Sequence, residues 1–321
     1  MKAMVYRHYG TPEQLKLEDI PAPVPNEDEV LVEVRSASIN SWDWDLLSGQ
    51  PKIYRLLFGL NKPKRQIIGC DIAGKVVSVG NMVKKYKVGD RVFGDLSGNH
   101  WGGFAEFARA KTSELSLIPE QMTYDEACAF PQAGLLALQG LKAKIDNGMD
   151  VLINGAGGGV GTFAIQLAQL YDCNITAIDH GDKLEQLKRL GATHVLDYTK
   201  TDFTKTSDKY DLILDPMGRH SARSVAKVLK KGGHYAMVGG KPSCLFNILS
   251  MGTLYSMTGS KKIAVVTHQP NTSDLDYLSD LYTKGQLKPI IDQVYPLEKL
   301  PEALQRIGDG KMIGKLVIRV K

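Results

Sequence analysis

The first 120 residues contain short stretches in which apolar and polar residues alternate. In Glu29–Ala37, the side chains of Val30, Val32 and Val34 would share one face of a strand, with charged or larger residues between them. Pro21–Pro25 is a stiff, extended connector that cannot be a central strand. Many short strands separated by Gly and Pro predict a partly open β-barrel. The other strands predicted in this region are Met1–Tyr6, Gln14–Ile20, Ala73–Val79, Arg91–Phe93 and Gly103–Arg109.

The pattern changes near Gln121, after which predicted strands and helices alternate as far as Gly285. Thr123, with Glu126 three residues later, has the spacing of a capping box and predicts a helix start. Alternation of strands and helices predicts βαβ units and a parallel sheet. The predicted strands are Val151–Asn154, Asn174–Ile178, His194–Leu196, Asp211–Asp215, His234–Val238 and Lys262–Val266. The predicted helices are Val160–Tyr171, Asp182–Leu190, His220–Lys231 and Ser273–Lys284.

The tail from Leu287 returns to short elements: strands at Val294–Tyr295 and Lys315–Val320, and a helix around Leu300–Ile307. A β-rich tail after an α/β block is expected to pack back onto the first domain. We therefore predict an α/β protein of two domains. Residues 1–122 and 287–321 would form a β-rich domain, and residues 123–286 a doubly wound parallel sheet.

The stretch VLINGAGGGVGTFAIQLAQL, residues 151–170, reads as a strand, a glycine-rich loop and an apolar helix. Glycines in this context let the backbone approach a pyrophosphate, and the helix N-terminus offers unpaired N–H groups to it. Ala156 stands where the usual first glycine would be, whereas Gly158 and Gly161 keep the other two positions. We expect the backbone of five consecutive residues to bind a dinucleotide: Ala156, Gly157, Gly158, Gly159 and Val160.

Asp179 ends the next predicted strand, 18 residues after Gly161. An acid near this spacing accepts hydrogen bonds from the adenosine ribose of NAD, and its charge repels the 2′-phosphate of NADP. Asp182 adds negative charge, whereas His180 and Lys183 could contact a phosphate. An alternative is that Asp179 only stabilises a helix N-terminus. The balance favours NADH and leaves NADPH open.

The composition is that of a globular protein, with 43% apolar and 23% charged residues and a formal charge of +5. The basic residues are scattered, which argues against nucleic acid as a partner. No apolar run is long enough to cross a membrane, and the N-terminus lacks an apolar signal region. The four cysteines form no CxxC pair. A cytoplasmic location is the expectation.

Several motifs together resemble the zinc-free branch of the medium-chain dehydrogenases/reductases, the quinone oxidoreductases. They are Glu29–Asp43 (EVLVEVRSASINSWD), Gly69–Gly80 (GCDIAGKVVSVG), Val88–Asp95 (VGDRVFGD), Trp101–Ala108 (WGGFAEFA), Pro131–Leu141 (PQAGLLALQGL), Gly155–Gly161 (GAGGGVG) and Leu190–Tyr198 (LGATHVLDY). The resemblance implies a GroES-like catalytic domain formed by both chain ends and a Rossmann domain between them. It also implies that Gln132 and Tyr198 contact the cofactor. A homodimer joined by sheet edges near Lys262–Val266 is a further possibility that it raises.

The zinc ligands of related alcohol dehydrogenases have no full counterpart in this sequence. By the resemblance, Asn40 stands in place of a zinc-binding cysteine, Cys70 and Asp71 in place of a His–Glu pair, and Ala133 near the remaining cysteine. Cys70 and Asp71 alone cannot fill a tetrahedral site. Residues 95–101 also lack the closely spaced cysteines of a structural zinc lobe. The prediction is that the protein holds no metal.

Hydride transfer without a metal needs an electron-poor acceptor, such as a quinone or an α,β-unsaturated carbonyl. Asn40 is the expected donor to the developing oxyanion, although it could instead be a turn former. Asp43 is expected to orient the same loop. Trp42 and Trp44 could stack on a flat substrate or simply pack in the core. The proton donor stays open.

The leading hypothesis is a zinc-independent, NAD(P)H-dependent quinone oxidoreductase. The first alternative is an NAD(P)H-dependent alkenal or enone reductase, which differs only in its acceptor. The second is a protein that binds NAD(P)H without catalysing a reaction. The GxSxG and HExxH motifs are absent, which argues against common hydrolase classes.

Overall fold

A computed structural model describes residues 1–321, apart from the side chain of Thr258. The strands are β1 Lys2–Val5, β2 Lys16–Asp19, β3 Glu29–Ser38, β4 Asp71–Val79, β5 Arg91–Asp95, β6 Phe107–Lys111, β7 Leu115–Leu117, β8 Asp150–Asn154, β9 Asn174–Asp179, β10 His194–Asp197, β11 Tyr210–Asp215, β12 Leu229–Met237, β13 Lys262–Val265, β14 Ile291–Pro296 and β15 Lys315–Arg319. The helices are α1 Ser41–Ser48, α2 Tyr54–Phe58, α3 Tyr124–Ala129, α4 Pro131–Leu141, α5 Gly159–Gln169, α6 Leu184–Leu190, α7 Ala222–Val228, α8 Pro242–Asn247, α9 Thr253–Thr258, α10 Thr272–Thr283 and α11 Leu300–Gly308. A turn of π-helix joins α8 to α9 at Ile248–Gly252.

The chain divides into two compact units, one formed by Met1–Leu135 with Gln269–Lys321 and the other by Leu136–His268. The predicted boundaries, between 122 and 123 and between 286 and 287, differ from these. Helices α3 and α10 belong with the first unit, because α3 packs on β3 and β4, and α10 lies against β7. A hydrogen bond of 3.1 Å from Thr272 Oγ1 to the Ser113 carbonyl oxygen fixes the start of α10 there.

The first unit is built on a seven-stranded sheet in the order β14-β15-β3-β4-β5-β7, with β6 also paired to β3. Its central strand β3 has the predicted alternation, and Val30, Val32 and Val34 are fully buried. Strand β15 pairs antiparallel with β3, with Val317 opposite Ser38. The expectation that the C-terminal tail packs onto the N-terminal domain is therefore confirmed.

The second unit is a six-stranded parallel sheet in the order β10-β9-β8-β11-β12-β13. Its central strands are apolar and fully buried, as Val151–Ile153 in β8 and Leu212–Leu214 in β11 illustrate. Such continuous apolar runs are typical of parallel strands covered on both faces. The predicted doubly wound α/β sheet is confirmed.

Several predicted bounds were wrong in the second unit. The helix predicted at His220–Lys231 ends at Val228, and Leu229 already begins β12. Lys230 lies in that strand because its ammonium pairs with Asp150 and Asp211 at 2.6 and 2.7 Å. The helix predicted from Asp182 begins as a 3₁₀ turn, Gly181–Lys183.

In the first unit, the strand predicted at Gly103–Arg109 is observed at Phe107–Lys111. Gly103 lies outside the strand because its N–H donates to the Gly69 carbonyl oxygen at 2.8 Å. A Cβ atom at Gly103 would lie 2.7 Å from Ile72 Cγ2, so this contact needs glycine. Across the described part of the chain, the helices are too short or too polar to cross a bilayer.

Candidate functional site

The glycine loop of the second unit connects β8 to α5. Gly155 adopts φ +89°, a conformation that favours glycine, and its N–H donates to the Ile178 carbonyl oxygen at 2.9 Å. The buried Ala156 donates to the same oxygen at 2.9 Å. Gly158 precedes α5, and no side chain caps this helix. The first-turn N–H groups of α5, which include those of Gly159 and Val160, are therefore left for a ligand.

Gly158 and Gly161, the two glycines of the dinucleotide-binding motif, have different roles. A Cβ atom at Gly158 would meet only the Gly155 carbonyl oxygen, at 3.5 Å, so the backbone there faces open space. A Cβ atom at Gly161 would lie 2.5 Å from Ala156 Cα, so Gly161 allows α5 to pack against the loop. An open glycine before an uncapped helix fits the pyrophosphate of a dinucleotide.

Asp179 ends β9 and ties the glycine loop to the sheet. Its Oδ2 accepts a hydrogen bond from the Gly157 N–H at 2.7 Å, and its Oδ1 accepts one from the His180 N–H at 2.8 Å. The ammonium of Lys183 lies 3.2 Å from Oδ1. The carboxylate is therefore buried, paired with a cation and engaged with the loop, and it keeps lone pairs with which to accept a ribose hydroxyl.

His180 and Tyr198 lie side by side at the carboxyl ends of β9 and β10. Their ring centroids are 6.1 Å apart, and the Tyr198 ring is half exposed. The Tyr198 N–H donates to the Asp179 carbonyl oxygen at 3.2 Å, which fixes the residue beside the loop. In doubly wound sheets ligands bind at this edge. The structure thus brings together Asp179, His180, Lys183 and Tyr198 around the end of β9.

A cavity of about 550 Å³ lies at the opposite edge of the same sheet. Asp150, Asn174, His194 and Tyr210 line it, and each is the first residue of its strand. Because ligands of this fold bind at the carboxyl edge, we assign this cavity no part in the site.

The first unit contains a buried polar cluster, which we call the Asp71 cluster: Asn40, Cys70, Asp71, Gln132 and Lys315. Asn40 lies between β3 and α1, Cys70 immediately precedes β4 and Asp71 is its first residue, Gln132 lies in the first turn of α4, and Lys315 begins β15. All five are almost completely buried. Residues from the N-terminal strands, from the first turn of α4 and from the C-terminal strand β15 therefore meet in this cluster.

The carboxylate of Asp71 is the centre of this cluster. Its Oδ2 accepts hydrogen bonds from Ser38 Oγ at 3.0 Å, Asn40 Nδ2 at 2.9 Å and Lys315 Nζ at 3.2 Å. Its Oδ1 accepts one from the Gln132 N–H at 3.0 Å. Burial raises the pKa of Asp71, and the Lys315 ammonium opposes that rise. A carboxylate with this many donors is well satisfied despite its burial.

Lys315 is the member of the cluster that sequence reasoning missed. Its side chain is only 2% exposed, and Nζ donates to Asn40 Oδ1 at 2.5 Å as well as to Asp71. An ammonium group only donates, so it fixes which end of the Asn40 amide is the oxygen. The available signal was weak: one charged residue at the start of the apolar strand KLVIR, whose partner lies far away in sequence.

The amide of Asn40 is held from both ends. Oδ1 accepts from Lys315, while Nδ2 donates to Asp71 and makes a longer contact of 3.5 Å with Cys70 Sγ. Both amide hydrogens therefore point into the cluster, whereas the sequence led us to expect a donor free for substrate. The contact with the thiol is the weaker of the two, since thiols are poor acceptors.

Asp43 is fully buried and joins two loops. Its Oδ2 accepts from the Asn40 N–H and its Oδ1 from the Gly69 N–H, both at 2.8 Å. Burial raises the pKa of Asp43 to about 7, although these two N–H groups oppose the rise. The carboxyl group thereby fixes the loop that carries Asn40 next to the one that carries Cys70.

The remaining predicted residues are placed as follows. Gln132 Nε2 lies 3.6 Å from Cys70 Sγ, so this side chain faces the cluster. Trp42 is partly exposed and stacks on Trp101, with ring centroids 6.0 Å apart and planes at 11°. Trp44 packs in the core, where a Cβ atom at Gly308 would lie 2.7 Å from its ring. Packing therefore accounts for Trp44.

The Asp71 cluster does not fit a zinc ion. Asp95, the last residue of β5, lies next to the cluster because it pairs with Asp71 across the sheet. The ligand atoms of Cys70, Asp71 and Asp95 lie within 4.8 Å of one another. However, the Lys315 ammonium is bonded to Asp71, and burial raises the pKa of the Cys70 thiol well above its usual range. A zinc ligand set needs deprotonated cysteine and no competing cation.

Comparison with known proteins identifies the family. Residues 26–120 match the model of the alcohol dehydrogenase GroES-like domain, and residues 190–318 match that of the zinc-binding dehydrogenases. The chain is 31% identical to the chloroplast envelope quinone oxidoreductase homolog of Arabidopsis thaliana, over 99% of this chain and 98% of that protein. This chain belongs to the quinone oxidoreductase family of the medium-chain dehydrogenases/reductases.

Two further relatives agree with membership of the quinone oxidoreductase family. The chain is 32% identical to the 2-methylene-furan-3-one reductase of Solanum lycopersicum, over 99% of this chain and 79% of that protein. The structure of the quinone oxidoreductase from Coxiella burnetii superposes with a TM-score of 0.88 at 28% identity, covering 100% of this chain and 99% of that one. The expected GroES-like and Rossmann units are confirmed, and the protein is an oxidoreductase that uses a nicotinamide cofactor.

Proposed function

We propose that this protein transfers a hydride from NADH or NADPH to a quinone and that it does so without zinc. The observation that carries the proposal is the Asp71 cluster, in which the Lys315 ammonium is bonded where a metal would need a free carboxylate. A site without a Lewis acid suits an acceptor that is already electron-poor. The conjugation of a quinone spreads the incoming charge onto its oxygen.

The residues that would hold the cofactor come mainly from the second unit. The backbone of residues 156–160 would bind the pyrophosphate, and Asp179, His180, Lys183 and Tyr198 would surround the adenosine half. By the family resemblance, Gln132 would also contact the cofactor. The reduced nicotinamide supplies the hydride when it is bound. We favour NADH because of Asp179, although its pairing with Lys183 weakens the repulsion of a 2′-phosphate.

Within the Asp71 cluster, Asn40 is proposed to donate a hydrogen bond to the oxygen of the acceptor. It would exchange its long contact with Cys70 Sγ for this stronger one, while Lys315 keeps the amide in orientation. A donor aimed where negative charge develops stabilises the transition state. Asp43 would hold the loop in place, and water can protonate the product oxygen.

A second candidate acceptor is an alkenal or another enone. The identity of 32% with a 2-methylene-furan-3-one reductase favours it. The chemistry is closely related, because hydride adds to a carbon conjugated with a carbonyl group and the charge again moves to oxygen.

The experiment that separates these acceptors is a panel of rates. Oxidation of NADH and NADPH is followed with 1,4-benzoquinones, naphthoquinones and 2-alkenals, and kcat/KM is compared. Higher values for quinones support the main proposal, and higher values for 2-alkenals support the second candidate. Tight nucleotide binding without turnover on any acceptor would contradict both.

We also propose that two copies pair through the edge strand β13. This strand is the last of the parallel sheet, and α9 packs against it. Helix α9, and α8, which the π-helical turn joins to it, expose large apolar side chains, among them Phe246 at 74% and Met257 at 80%. Exposed apolar patches next to an unpaired strand edge are typical of interfaces. The cytoplasmic location stays a prediction.

A further inference from the structure

The burial of Lys315 needs a physical explanation. Lysine is almost never fully buried unless its charge is paired, because removing an ammonium group from water is costly. Lys315 is 2% exposed, at the first residue of β15, and the side chain could not have been placed there without compensation. The compensation is a set of negative or electron-rich groups gathered around it.

Three residues near Lys315 could together supply part of the ligand set of a metal ion. The ligand atoms of Cys70, Asp71 and Asp95 lie within 4.8 Å of one another, and all three residues are buried. The Lys315 ammonium is 3.2 Å from Asp71 Oδ2 and 2.5 Å from Asn40 Oδ1. One carboxylate oxygen of the potential ligand set is thus bonded to a cation that belongs to the protein itself.

We infer that Lys315 is an internal cation that keeps divalent metal ions out of the Asp71 cluster, and that removing its charge turns Cys70, Asp71 and Asp95 into a metal site. An ammonium group and a zinc ion cannot share Asp71 at such short range, since two like charges repel strongly in a buried environment. Once Lys315 is neutral, the buried Asp71 carboxylate loses the ammonium group that lies 3.2 Å from it. A zinc ion would supply it, and the Cys70 thiol would release its proton to solvent on binding.

This inference differs from an ordinary buried ion pair in what it predicts. If Lys315 only paired with Asp71, its loss would lower stability and do nothing else. If Lys315 takes the place of a metal, its loss creates an affinity that the native protein lacks. The inference concerns metal binding and does not depend on which acceptor the enzyme reduces.

The test measures metal binding by three variants and a control. Lys315→Gln keeps an N–H donor for Asn40 and Asp71, so we expect it to fold. Lys315→Met removes all donors, and Lys315→Arg keeps the charge. Lys311→Gln changes an exposed lysine nearby in sequence and is the matched control. Each protein is incubated with zinc, passed through gel filtration and analysed for bound metal.

We expect Lys315→Gln to retain about one zinc per chain. Its affinity for zinc should be at least about 100-fold higher than that of the native protein. Native protein, Lys315→Arg and Lys311→Gln should retain little. Cobalt should give Lys315→Gln a thiolate-to-metal charge-transfer band in the near ultraviolet, and Cys70→Ser in that background should remove it.

Three results would overturn the inference. They are a folded Lys315→Gln that binds no metal, a Lys315→Arg that binds as well as Lys315→Gln, or a native protein that binds one zinc tightly. If Lys315→Met does not fold alone, its refolding is compared with zinc and with chelator; recovery only with zinc supports the inference. Failure of this test would leave the quinone rates untouched, so the two proposals can fail separately.

Discussion

Asp179 and Asp43 are both buried carboxylates that hold a loop by backbone N–H groups, but their charges are balanced differently. Asp179 has an ammonium partner 3.2 Å away, whereas Asp43 accepts hydrogen bonds from two backbone N–H groups at 2.8 Å. Asp179 is therefore suited to binding a nucleotide, and Asp43 is suited to holding the loop on which Asn40 lies.

Changing the Asp179–Lys183 pair should shift the choice of nucleotide. Asp179→Ser removes a negative charge beside the proposed ribose site, so the ratio of kcat/KM for NADPH to that for NADH should rise about tenfold. Lys183→Ala leaves Asp179 unpaired and should lower the ratio by a similar factor. Steady-state kinetics with both nucleotides measures it. Two unchanged ratios would show that this edge does not contact the adenosine ribose.

Asp43 should make the stability of the protein depend on pH. Its pKa in the folded state, about 7, lies above the usual 3.8, so between these values the folded state holds the proton more tightly. The free energy of unfolding should therefore fall as pH rises from about 4 to about 7, by up to about 4 kcal/mol from this group. Asp43→Asn should remove that part of the slope. Denaturant unfolding at several pH values measures it.

Asp28→Asn, which changes an exposed carboxylate, is the control and should keep the native slope. Parallel slopes for native protein and Asp43→Asn would contradict the raised pKa of Asp43.

At the level of elements, the strand–loop–helix Asp150–Gln169 was predictable because each step has a local cause. An apolar strand, glycines and an apolar helix follow one another in sequence. The Asp71 cluster was only half predictable. The loop of Asn40 and Asp43 was marked by family motifs, but Lys315 meets Asn40 across 275 positions of sequence. Nothing near Lys315 in the sequence shows that its strand will begin beside a buried carboxylate.

Some predicted boundaries of helices and strands were wrong for a similar reason. Lys230 reads as the end of a helix in sequence, but tertiary pairing with Asp150 and Asp211 places it in a strand. Local propensity is a weak guide wherever a charged side chain has distant partners.

The two fingerprint glycines should respond differently to the same substitution. Gly158→Val places its side chain in open space, so we expect a native fold and loss of nucleotide binding, because the side chain occupies the place of the pyrophosphate. Gly161→Val forces a Cβ to within 2.5 Å of Ala156 Cα and should lower the melting temperature. Calorimetry and circular dichroism measure the two effects. Native affinity in Gly158→Val would remove the basis for the phosphate-loop assignment.

On the scale of the whole molecule, the sheet of the second unit ends at β13 with an unpaired edge, and large apolar side chains lie beside it. We propose that a second copy of the chain packs against this edge and these side chains. Light scattering after gel filtration should give the mass of a dimer, and Met257→Glu should shift it toward the monomer. Leu60→Glu, at an exposed apolar residue of the first unit, should leave the dimer intact. A native monomer would contradict the proposed pairing.

The most direct test of the account is turnover by protein freed of metal. The native enzyme is treated with a strong chelator, shown by elemental analysis to contain no zinc, and assayed for oxidation of NADH and NADPH by a quinone. The account predicts the same kcat before and after treatment, with no gain on adding zinc. Activity that disappears with the chelator and returns with zinc would contradict it.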